Sequence, residues 1–212
     1  MSGDRLRRLW DFDDLEATGT RLGKQIDAET DDAGRAEVLT QLARLQGLRD
    51  EFRAGEAVLR RAEGLAGNSK VARIRIDLER GRLLRSSGDP AAALPLFVSA
   101  CDAAIEAGEE FIAADSAHMA ALAAPDHEAK LDWTRRGIDI AESSVDRDVA
   151  YWMGPLLNNL GVTYSDAGER EAALDAFERA LEARLHYPEN PTAIEHARAS
   201  VAEARRALGM EA

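Results

Sequence analysis

The stretch Gly19-Thr20-Arg21-Leu22-Gly23-Lys24-Gln25 comes nearest to a phosphate-binding loop in this chain. Such a loop wraps phosphate in backbone N–H groups between two spaced glycines, and a final Ser or Thr holds the metal. Here the glycines stand one residue too close, and Gln25 occupies the place of the hydroxyl. The same stretch also carries a helical apolar stripe, so it reads as helix. The four histidines, His118, His127, His186 and His196, include no pair at i, i+4 that could hold zinc from one helix face. No Gly-x-Ser-x-Gly elbow is present to expose a serine nucleophile. Cys101 follows Ala100 in an apolar run and reads as a small buried hydrophobe. Carboxylates are too numerous on helix surfaces for any one pair to signal acid–base chemistry. The expectation is a protein without catalysis, cofactor or metal.

The elements that position these residues follow from composition and period. The chain has 212 residues, 45% of them hydrophobic and 31% charged, which is enough apolar matter for a sizeable core. Only 16 Gly, 6 Pro and 11 aromatics (5 Phe, 3 Tyr, 3 Trp) occur. Alanine is abundant, which suits closely packed helices. Lys+Arg 27 against Asp+Glu 39 gives a net charge of −12. That balance repels phosphate backbones and argues against nucleic-acid partners. The start, MSGDRLRRLW, lacks an apolar signal core, and no run of about 18 apolar residues predicts a membrane span. A lone cysteine and no leader point to the cytoplasm.

Helical periodicity runs nearly throughout, with no strand-like alternation. Phe12, Leu15, Gly19, Leu22 and Ile26 form the first stripe, and Ile194, Ala197, Val201, Ala204 and Leu208 form the last. Between them the pattern predicts helices over 33–48, 50–66, 69–87, 90–107, 109–124, 127–144, 148–167 and 170–186. Gly88-Asp89-Pro90 supplies a stop, a cap and a first-turn proline in succession, and Asn190-Pro191 repeats the start. Connections this short force antiparallel neighbours. The expected organisation is one domain over 1–212. It comprises an opening half-unit at 12–29, four helix pairs at 33–67, 69–107, 109–144 and 148–187, and a capping helix at 192–208.

The segment Gly154–Tyr187 carries Leu157, Leu160-Gly161, Tyr164, Gly168, Ala173, Phe177 and Ala180. That pattern resembles the tetratricopeptide repeat, a helix–turn–helix unit of about 34 residues. Segment 74–107 keeps Gly81, Leu84, Gly88, Ala93, Phe97 and Ala100, with Arg80 where Leu is expected. Segment 36–67 keeps Leu39, Leu42-Ala43, Gly55, Leu59 and Ala62. In 110–143 only Ala129, Trp133 and Gly137 mark the second helix, and the register is open by one residue. Asp11-Phe12-Asp13-Asp14 resembles the start of a repeat's second helix. The resemblance implies an all-α fold, a right-handed α-solenoid of about ten stacked helices.

It also implies a concave groove lined by the first helix of each pair. Carried onto this chain, the groove positions are Arg44, then Arg75, Glu79, Arg82 and Arg85. The third pair contributes Asp115 with either His118 or Met119, and the fourth Asn158, Asn159 and Val162. Arg75 and Arg82 share a face because seven residues make almost two helical turns, and Arg85 follows three residues on. Guanidinium forks suit carboxylates, and an Asn amide can donate and accept along a peptide backbone. Local pairing of Glu79 with Arg75 and Arg82 is the competing reading of the same face. The expected function is a non-catalytic module that binds a peptide or partner segment, with an acidic partner favoured by the arginines. A self-associating scaffold is the alternative, and a small-molecule or signal-peptide sensor ranks third.

Overall fold

The computed structural model describes residues 4–210. Eleven α-helices and one 3-10 turn, Arg7–Leu9, account for about four-fifths of them. The helices are α1 Leu15–Ala28, α2 Asp32–Leu48, α3 Phe52–Ala66, α4 Lys70–Ser86, α5 Pro90–Ala107 and α6 Glu110–Ala123. They continue with α7 His127–Ser143, α8 Arg147–Ala150, α9 Met153–Asp166, α10 Arg170–Leu185 and α11 Pro191–Ala207. Side-chain caps set most of the starts, though α3, α6, α9 and α10 begin without one. Asp89 accepts from the Ala92 amide, Asp126 from Ala129 and Asn190 from Ala193. Each satisfies an orphan N–H of the first turn.

The chain is an all-α solenoid of antiparallel pairs: α2 with α3, α4 with α5, α6 with α7, and α9 with α10. Each second helix also packs on the first helix of the next pair, and α11 covers α10. Small residues set the spacing. A Cβ on Gly161 would lie 2.6 Å from the Phe177 ring, and one on Gly81 would lie 2.6 Å from the Phe97 ring. The two pairs therefore share one register, with a glycine-sized hole on the first helix filled by a phenylalanine from the second.

The turns explain where the pairs differ. Gly88 and Gly168 take φ of 99° and 79° two residues after their helices end, and Asp50 takes 59° at the matching place. Pro125 stands at that place in the third pair and cannot adopt positive φ. Ala124 before it is driven to an extended conformation (φ −63°, ψ 140°), so α6 ends early. The choice left open in this pair falls on His118, which lines the inner face, while Met119 is in the core and Ala117 is buried 3.4 Å from where a Cβ on Gly137 would lie.

Three expectations are corrected. A single helix over 148–167 is interrupted at Tyr151-Trp152, because Pro155 has no N–H and its ring would clash with the carbonyl of residue 151. Restarting at Met153 places Pro155 in a first turn, where no donor is required. Phe12 is not on the first helix: the Asp14 side chain accepts from the Glu16 and Ala17 amides and fixes the start at Leu15. Phe12 is left 56% exposed, stacked on Trp10 at 5.0 Å between ring centroids. Asp11-Phe12-Asp13-Asp14 therefore forms a loop and a cap. The apolar helix α5 has the length and mean hydropathy (1.3) of a membrane span. It lies between α4 and α6, with Ala93, Phe97, Ala100, Cys101 and Ala104 buried.

Candidate functional site

The inner face carries one residue set per first helix. Gln41 and Arg44 come from α2, Arg82 from α4, His118 from α6, and Asn158 and Asn159 from α9. Together with the N-terminal segment and the far end of the stack, they enclose a cavity of about 930 Å³. Its aromatic walls are Trp10, Phe12, Phe111, Tyr151 and Trp152. That size is at the upper end of the range for ligand sites.

Residues 4–13 form a strap along this face. Leu6 and Leu9 are buried against Leu22, Val38 and Leu45, which anchors it. Arg21 ties it further by donating from Nε to the Leu9 carbonyl at 2.9 Å. Trp10 Nε1 donates to Gln41 Oε1 at 2.9 Å. Arg7 pairs with Asp148 of α8 and lies 4.1 Å from the centroid of the Tyr151 ring. The strap thus links the first helix pair to the fourth across the concavity.

Most of the arginine strip expected to hold a ligand is already neutralised. Arg75 is buried, and its two terminal nitrogens reach the Asp4 carboxylate at 2.6 and 3.2 Å, with Glu37 at 3.5 Å from Nε. Burial works against its charge, but Asp4 and Glu37 hold the guanidinium above the ordinary arginine range. Arg82 pairs with Asp115, lies 3.1 Å from Glu79 and places Nη1 3.0 Å from the Met119 sulfur. Asp115 is therefore a counter-ion, not an open groove residue. Burial pushes the Glu79 carboxyl upward, against the fields of Arg82 and Arg44. Met119 belongs to the core under α4 and α5. Val162 is 45% exposed and lies outside the cavity lining, as does Arg85, whose Nε donates to the Leu122 carbonyl at 3.3 Å. For Arg75, Arg82 and Asp115 the cause is that desolvated guanidinium groups draw carboxylates from the chain itself, whereas Met119, Val162 and Arg85 are turned away from the cavity by the helix faces they occupy.

Three cationic side chains on the cavity wall differ from these: the exposed Arg8 of the strap, which has no ion pair among the described residues, and the half-buried Arg44 and Arg184. Arg44 has no hydrogen bond or ion pair among the described residues, and stands over Trp10 and Phe12 at 5.0 and 5.4 Å. Burial, and then repulsion from Arg82, hold it below the usual arginine range. Arg184 crosses Gly154 so closely that a Cβ there would lie 2.6 Å from its Nε. It stacks 5.0 Å from the Tyr151 centroid, and its buried Nη1 has no hydrogen-bond partner among the described residues.

His118 stands beside them. Its Nδ1 lies 2.9 Å from Asn159 Nδ2, and its ring packs at 5.4 Å from the Trp152 ring. Burial pushes its pKa down to about 4; Asp115 opposes the shift, while Arg82, Arg184 and Arg44 add to it. The ring is therefore neutral at pH 7, with Nδ1 accepting from the Asn159 amide. Sequence reasoning named Arg44, His118, Asn158 and Asn159. It missed Arg184, Tyr151, Trp152 and the strap. Arg184 sits at the end of a second helix, where repeat logic places no ligand contacts, and Gly154 was the one signal that something crosses there.

Among the described residues no cluster of three His, Cys, Asp or Glu side chains could hold a metal. Cys101 is buried, which pushes its thiol up to about 11. No protein-family model matches the chain, and no curated protein matches it. Among solved structures it resembles BtubC (BKLC) from P. vanneervenii. The match covers 92% of this chain and 84% of that one, with a TM-score of 0.72 at 19% identity. At this identity the likeness extends to the fold alone.

Proposed function

We propose that this chain is a non-catalytic binding module of tetratricopeptide type, whose concave cavity holds a short segment of a partner protein. One observation carries the reading: all four first helices and the strap contribute to a single cavity in which half-buried Asn side chains stand beside aromatic walls. Asn158 and Asn159 can donate to and accept from an extended backbone, and Trp10, Tyr151 and Trp152 offer flat apolar seats for side chains. A chain of net charge −12 that keeps unpaired arginines inside its concavity steers an acidic partner toward that face. The single buried thiol suits a reducing, cytoplasmic setting.

The test is selection of peptides from a random library against the whole chain, followed by calorimetry on wild type and on Asn158→Ala/Asn159→Ala. The double variant should bind the selected peptide about tenfold or more weakly, since two backbone hydrogen bonds contribute about 0.5–1.5 kcal/mol each. Its helical circular dichroism should match wild type. A library that yields no binder, or binders indifferent to both residues, rejects the groove. Light scattering that shows stable oligomers without ligand would favour the scaffold instead.

A further inference from the structure

Arg82, Arg75 and Arg7 each have a carboxylate from this chain, whereas Arg44 and Arg184 have none among the described residues. Both unpaired guanidinium groups line the same cavity as His118 and Asn159, whose Nδ1 and Nδ2 lie 2.9 Å apart. We propose that Arg44 and Arg184, with Asn159 and His118, form a seat for one carboxylate group of the bound segment. The proposal rests on the peptide-groove reading and adds the ligand's chemistry.

A guanidinium removed from water and left without an acceptor is unfavourable, and proteins resolve this with a carboxylate or a bound anion. Of the carboxylates in and beside this groove, Asp4 is engaged by Arg75, Asp115 by Arg82, Glu189 by Arg147 and Asp11 by Arg21, while Asp13 accepts from the Thr192 hydroxyl. Arg184 cannot easily withdraw, because its stem is laid over Gly154 and its plane over Tyr151. The groups around His118 are Asp115 and three arginines, an excess of positive charge. A carboxylate reverses that excess, gains forked hydrogen bonds from a guanidinium, and accepts from the Asn159 amide if the His118 contact is released. The source of the group is a Glu or Asp side chain or a chain terminus; a free dicarboxylate offers the same chemistry.

The sign of the effect on His118 makes the seat readable. An anion beside the imidazole stabilises its protonated form, so occupancy raises the pKa from about 4 toward the ordinary value. The experiment uses the full chain, NMR of the histidine ring protons with His118→Gln for assignment, and three probes. These are a short acetylated peptide of alternating Glu and Ala, its Gln counterpart, and glutarate.

The Glu peptide should bind saturably and raise the His118 pKa, and the Gln peptide should bind at least about tenfold more weakly. Arg44→Gln and Arg184→Gln should each weaken the Glu peptide about tenfold, Arg184→Lys less so, and Arg85→Gln not at all. Thermal melts confirm that the variants fold, and the wild-type His118 readout does not depend on them. Glutarate that matches the Glu peptide in affinity supports the seat but assigns it to a free small anion, which contradicts the peptide reading alone. Glu and Gln peptides that bind equally leave the groove standing and overturn the seat. A His118 pKa unmoved by saturating Glu peptide and glutarate also overturns it.

Discussion

The Asp4 carboxylate is held by the guanidinium of Arg75, 71 residues further along the chain, at 2.6 and 3.2 Å, with each side chain only 6% exposed. The pair closes an arginine that helix spacing alone presents as an open seat. It also fixes the strap against α4, so the inner wall of the cavity is continuous from the N-terminal segment to α9.

Arg75→Ala should therefore destabilise the fold by about 3–5 kcal/mol, the cost of leaving a buried carboxylate unpaired. Asp4→Ala should cost less, because Glu37 remains 3.5 Å from Arg75 Nε. Urea denaturation of both variants measures the difference. Two wild-type-like midpoints would show that the strap is not fixed in this way.

Gly161 and Phe177 provide a packing test. Gly161→Ala places a methyl group 2.6 Å from the ring and should cost about 1–3 kcal/mol. Adding Phe177→Leu should recover part of that loss, so the double variant is more stable than the sum of the singles predicts. Strict additivity would mean that the two helices are not in this register.

Much of the fold is legible from local rules. Asp89-Pro90 and Asn190-Pro191 mark helix starts, and Gly161, Ala173 and Phe177 mark a helix pair, because caps and small-to-large packing act over a few residues or one turn of chain. The break before Met153 was also signalled by Pro155, whose ring disfavours a continuous helix although α5 tolerates Pro95, and the apolar period through 148–167 masks it. The site was legible only in part. Helix spacing reported the Glu79–Arg82 pair, but Asp4 and Asp115 lie 71 and 33 residues from Arg75 and Arg82, and no spacing rule reports such distant partners. Arg184 was hidden for the same reason, since its place is set by the curvature of the stack.

His118 predicts a pH dependence. Its folded pKa, near 4, lies below the ordinary value of 6.5, so the unfolded chain binds more protons between those values. Stability contributed by the neutral ring is thus fully present above about pH 6.5 and is lost as pH falls toward 4, by up to about 3 kcal/mol. The difference in unfolding free energy between pH 7 and pH 5 should be smaller in His118→Gln than in wild type. Equal differences would mean that His118 titrates normally.

Removing the chain from Asn190 onward takes away Val201 and Ala204, which cover Ala173 and Phe177. Array ends need a polar outer face, and without α11 the apolar side of α10 is bare. The truncated protein should aggregate or melt earlier than the full chain. A soluble, monomeric and equally stable truncation would show that α11 is not a cap.

The central claim is that ligand binds the concave face. Hydrogen–deuterium exchange of the full chain, with and without a library-selected peptide, measures this most directly. Added protection should fall on α2, α6, α9 and the strap around Trp10, with the outer faces of α3, α5 and α7 unchanged. Protection confined to those outer helices, or none at saturation, would contradict the account.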